Sequence, residues 1–107
     1  MEISREKMEL LGRAQFVDKI AEMLITSEAV DPGTDLQTVR IHVAHVLDEA
    51  EGHGVKTERL MGMYVILRLA DKVNPYDVPE YVAVLDDPTL TEADKAHLLQ
   101  MIRVNAL

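Results

Sequence analysis

The chain has no cysteine and no tryptophan, and among its 107 residues there are only one phenylalanine and three tyrosines. Without cysteine there are no disulfides and no thiolate metal ligands, which fits a reducing compartment. With aromatics at 4%, the core must be built from Leu, Val, Ile, Met and Ala. Such a core supplies little of the rigid aromatic volume that shapes a small-molecule pocket. Long apolar runs are missing too: the longest, 63–67, falls far short of the roughly 20 residues of a membrane span. The opening stretch MEISREKMELLG carries charges throughout and has no signal-peptide core. The expected location is the cytoplasm, with no membrane partner. Basic residues are scarce, 11 against 19 acids, for a formal net charge of −8. Phosphate binding needs clustered Lys and Arg, so this balance argues against a nucleic-acid partner. It is compatible with a basic protein partner, or with a solvated acidic surface.

What remains is globular. Hydrophobic residues make up 48%, too many for intrinsic disorder, and 1–107 is the length of a single domain. No stretch alternates as a strand does, while five stretches repeat at helical spacing. The first, about 5–25, has Ser4 as cap and Met8, Leu11, Phe16, Ile20, Met23 and Leu24 as its apolar stripe, with Gly12 a place to bend. The second, about 36–51, starts from Thr34 (with Gln37 at capping-box spacing) or from Asp35. Its stripe is Leu36, Val39, Val43, Val46, Leu47 and Ala50, and Gly52 suits the left-handed residue after its end. A short link then leads to a helix near 58–73, capped by Thr57 and ended by Asn74-Pro75. Shorter helices near 78–85 and 92–104 complete the chain, capped by Asp77 and Thr91. The fold class expected is all-α, a single-domain bundle of about five helices around the central one near 58–73.

That central helix is unusual. Leu60, Met63, Ile66, Leu67, Leu69, Ala70 and Val73 cover about half its circumference, with Gly62 at the edge of the arc. Met61, Tyr64 and Val65 fall on the other side, beside Arg68. Methionine adapts to irregular surfaces and tyrosine supplies contact area at low entropy cost, so Met61, Tyr64, Val65 and Arg68 form a candidate partner-binding patch. The competing reading is that the first or last helix covers them.

Other constellations carry less. His42, His45 and Glu49, with Asp48 nearby, share one side of the second helix, and an H-x-x-H pair plus a carboxylate can hold a divalent metal. The fourth ligand would come from elsewhere, such as His53 or His97. Asp86-Asp87 before Pro88 has the pattern of side chains that bond backbone amides in a turn. Ser4, Thr34, Thr57 and Thr91 are explained as caps, which leaves no nucleophile beside a histidine and no phosphate-cradling glycine loop. Neither an enzyme nor a cofactor is expected.

Three segments share a pattern seen elsewhere: G-V-K-T-E-R at 54–59, Y-V at 64–65, and V-L-D-D-P-T-L-T-E-A-D-K at 84–95. Together they resemble small helical proteins, and C-terminal helical segments, encoded beside type VI secretion effectors and their adaptor chaperones in Gram-negative bacteria. The resemblance spans roughly 52–99 and implies a non-catalytic accessory or co-chaperone that binds an effector or its adaptor. The alternatives are an immunity protein inhibiting a cognate toxin, where an acidic inhibitor would suit a basic nuclease, and a metal-binding regulator. A homodimer through the same patch is compatible with each.

Overall fold

The computed structural model describes residues 5–105, with side chains from residue 12 onward. Five α-helices are present among these residues and no strand: α1 (Arg5–Thr26), α2 (Leu36–Gly52), α3 (Glu58–Val65), α4 (Pro79–Leu85) and α5 (Glu92–Asn105). A π turn, Ile66–Ala70, continues α3, and a 3-10 turn, Pro75–Asp77, precedes α4. The expected all-α bundle is therefore present, as a plate 46 × 38 × 18 Å across its Cα atoms. No helix among the described residues is long and apolar enough to cross a membrane. Ser4, Met8 and Leu11 lie outside the residues whose side chains are described, while α1 runs unbroken through Gly12.

Local chemistry fixes the helix ends. Asp35, rather than Thr34, caps α2: its Oδ1 accepts from the Thr38 amide at 2.7 Å. That bond holds the Asp35 carboxyl below the ordinary aspartate value. At the far end the left-handed residue is Gly54 (φ 86°), not Gly52, because the helix continues to Gly52. The Val55 amide reaches back to the Ala50 carbonyl at 3.1 Å, and Val55 is buried, so the left-handed position falls one residue before it. Asp77 does not cap α4, since it belongs to the 3-10 turn that Asn74 caps by accepting from the Tyr76 amide at 3.0 Å. Pro79 opens α4 without a side-chain cap. Asp87 accepts from the Thr89 amide and hydroxyl, and Thr91 caps α5 through the Asp94 amide at 3.1 Å.

α1 and α2 pack antiparallel, tied by Arg13 to Asp48 and Glu51 and by Arg40 to Asp18. α2 and α3 do the same, with His53 beside Tyr64 and Glu49 beside Arg68. α3 and α5 instead run parallel, joined at both ends. At the start, the Glu92 carboxylate accepts from the Lys56 amide (3.0 Å), the Thr57 amide (2.7 Å) and the Thr57 hydroxyl (2.8 Å). At the finish, Arg103 donates to both oxygens of Asp71, at 2.6 and 3.0 Å. Leu60, Met63, Tyr64, Val65 and Leu67 are all buried, so most of the circumference of the central helix is covered, while Glu58 and Arg59 stay exposed.

The central helix was expected to reach residue 73, but regular hydrogen bonding stops at Val65. The chain widens through the Asp71 amide to the Ile66 carbonyl (3.1 Å) and closes with Lys72 left-handed at φ 57°. A non-glycine residue there costs about 1–2 kcal/mol. Lys72→Gly is therefore expected to stabilise the chain by roughly 0.5–1 kcal/mol, after allowing for glycine's greater unfolded-state entropy. A thermal or urea melt checks the sign.

Glu92 supplies a second test. Burial alone would raise its carboxyl pKa, but the bonds from Thr57 and Lys56 outweigh burial and hold it below the ordinary glutamate value. A carboxylate lowered in the folded state contributes stability that is complete above its unfolded-state pKa and is lost as pH falls through the folded one. Glu92→Gln is expected to cost about 1–2 kcal/mol at neutral pH. It is also expected to flatten the loss of stability between about pH 5 and 3. Melting curves of the two proteins across that range measure both effects.

Candidate functional site: an apolar groove over the central helix

The four residues expected as a binding patch do not form one. Tyr64 and Val65 are 0% exposed, Met61 is half-buried, and Arg68 is occupied by Glu49, with its Nη2 3.1 Å from Oε2. The cause lies in α2. Its antiparallel packing places His53 against Tyr64 (ring centroids 6.4 Å apart), and His53 in turn stacks on Tyr76 at 3.9 Å. Among the described residues no well-formed hydrogen bond reaches the Tyr64 hydroxyl, although the Glu49 carboxylate lies near it. Burial, and then the nearby Glu49 carboxylate, push its pKa well up, so it stays protonated.

The histidine-carboxylate set is likewise taken apart. Glu49 pairs with Arg68, and His42 and His45 face solvent. Among the described residues no three His, Asp or Glu side chains stand close enough to share a metal ion.

A groove of about 360 Å³ lies instead where α1, α3 and α5 meet. α1 contributes Phe16, Lys19, Ile20 and Met23; α3 contributes Glu58, Arg59, Gly62 and Met63, followed by Ile66; α5 contributes Ala96, His97 and Gln100. Each helix is positioned by bonds already described. The Glu92 carboxylate holds the first turns of α3 and α5 together, which places Arg59 and His97 at one groove. Arg13 and Asp18 hold α1 on α2, which sets Phe16 and Met23 on the other side. Gly62 deepens the floor: a Cβ there would lie 3.9 Å from Phe16 Cζ, an ordinary contact that would fill the space between α1 and α3.

The floor is apolar and the lip is polar. Ile20 and Met63 are buried, whereas Met23, expected in the core stripe of α1, is 44% exposed. It sits at the edge of the groove, where α1 has no helix above it to cover the side chain. On the lip, among the described residues, Glu58 is the single carboxylate and His97 the single imidazole, and no serine, threonine or cysteine of theirs lines the groove. This set can hold an apolar group and steer a charged one; it contains no nucleophile with a paired base.

A second, wider groove of about 650 Å³ runs between α4 and α5, with Tyr81, Leu98, Met101 and Ile102 along it and Glu80 as the only charge among the described residues that line it. A third cleft of about 240 Å³ is bordered by His42, Arg68 and Lys72 beside Asp31. There Arg68 is held by Glu49, and Lys72 lies 4.0 Å from Asp31.

Gly62 was the sequence signal for the first groove, since glycine in the middle of a helix costs about 1 kcal/mol and usually has a packing reason. Arg59, Lys19 and His97 gave no comparable sign. Gly62→Ala is expected to be accommodated and to raise stability by about 0.5–1 kcal/mol through helix propensity while shallowing the groove, which a thermal melt tests. No protein-family model, no curated protein and no solved structure matches this chain.

Proposed function

We propose that this domain is a non-catalytic protein-binding module whose contact surface is the groove between α1, α3 and α5. The observation that carries this reading is an apolar floor with an exposed methionine, Met23, inside a lip of separated charges. An apolar centre with a polar rim is the usual anatomy of a protein contact, and methionine suits one that must fit an irregular partner. The lining lacks the paired groups that acid-base or nucleophilic chemistry needs.

The likeness of residues 52–99 to proteins encoded beside type VI secretion effectors directs attention to a particular partner. In this proposal the chain is a cytoplasmic accessory, or co-chaperone, that binds an effector or its adaptor chaperone before secretion. The net charge of −8 keeps such a domain soluble while its groove is empty.

Met23→Asp tests the placement. The side chain is exposed enough that the fold is expected to keep its stability to within about 0.5 kcal/mol. A charge beside the apolar floor of the groove is expected to abolish recovery of the effector or adaptor in fixed stoichiometry from the native bacterium. Recovery that survives the substitution, with helicity unchanged, would remove the groove from the interface.

A further inference from the structure

The charges on the groove lip are distributed against the grain of the chain. Acids outnumber basic residues 19 to 11, so a surface arginine has no shortage of carboxylates within reach. Arg13, Arg40, Arg68 and Arg103 each sit against one, and Lys95 donates to the Leu85 carbonyl at 2.7 Å. Lys19 and Arg59 make no ion pair among the described residues, although they come from two different helices and meet at the same groove. The one acid on the lip among the described residues, Glu58, occupies the first turn of α3, where the free amides of the helix start offset its charge.

We infer that the groove takes an amphipathic helix of a partner protein whose apolar face is flanked by Asp or Glu, with those acids meeting Lys19 and Arg59. This rests on the protein-binding reading above and names the chemistry of its partner. The form of the occupant follows from elimination as well as from charge. The described residues offer no strand edge for an added strand, and among them Phe16 is the only Phe, Tyr or Trp in the groove, too few for a polyproline segment. A trough walled by helices is instead the setting in which a helix lays its apolar face. The net-negative body then acts as a filter. Away from the lip it repels an acidic partner, so only an approach that brings the acids to Lys19 and Arg59 is favourable.

Two synthetic helical peptides test this, with one shared apolar face of Leu, Ile and Met at i, i+3, i+4 and i+7, flanked by Glu in one and by Lys in the other. Each is titrated into the full chain by fluorescence anisotropy at low and at high salt. The Glu-flanked peptide is expected to bind about 10-fold more tightly at low salt, an advantage that shrinks at high salt. The double variant Lys19→Glu with Arg59→Glu, at two unpaired surface positions, is expected to fold normally and to reverse the order. Met23→Asp is expected to lose both peptides. Equal binding of the two by the unaltered chain would overturn the acidic-helix inference and leave the groove reading in place. Binding of neither peptide, or binding indifferent to Met23→Asp, would overturn the groove reading itself. Self-association that Met23→Asp abolishes would overturn the inference in favour of a second copy, and saturable oleate binding with neither peptide held would do so in favour of an acyl carboxylate.

Discussion

One carboxylate joins the two helices on which the groove depends. Glu92 takes three donors from the residues that lead into α3, so the start of α5 and the start of α3 are a single hydrogen-bonded unit. Both helix starts present free amides and a positive dipole end, and one negative charge between them serves both. The Asp71–Arg103 pair closes the other end. Two helices held at both ends cannot splay without breaking charge-assisted bonds. They therefore present a fixed floor and wall to whatever lies against them, and the third wall, α1, is carried by α2.

The burial of most of α3 follows from this arrangement. Parallel α5 covers one side, antiparallel α2 another, and the rim of α1 a third, which leaves the side bearing Glu58, Arg59, Gly62, Met63 and Ile66 to the groove. Tyr64 shows what such enclosure costs. Its ring fills the space between His53 and Tyr76, while no well-formed hydrogen bond among the described residues reaches its hydroxyl. Lys72 and Glu28, both left-handed at φ 57°, add further local strain at the ends of the central segment and of α1.

Helical periodicity made the fold legible. The α2 stripe of Val39, Val43, Val46, Leu47 and Ala50 is buried as its spacing predicts, and Thr57 and Thr91 stand at the helix starts they were expected to cap. The ends that escaped were decided by tertiary contacts: Val55 had to reach the core before Gly54 could be identified as the left-handed residue, and the π turn has no signature in an apolar run such as 66–70. The site was the least legible part. Both sides of the central helix looked suited to a partner, but only packing could show that the end of α2 reaches Tyr64 and Arg68 and that Val65 is buried, while the side bearing Gly62 stays open. Lys19 and Arg59 read as ordinary surface charges until Arg13, Arg40, Arg68 and Arg103 were seen to be paired.

The central claim is that α3 and α5 behave as one clamped unit beneath the groove. Native-state hydrogen exchange tests it most directly, by comparing the amides of residues 60–67 with those of residues 96–102. If the clamp at Glu92 and at Asp71–Arg103 holds, both sets exchange only through global unfolding and give the same opening free energy. If α5 opens at a free energy about 2 kcal/mol or more below that of α3, the two helices are separate units and the account is wrong.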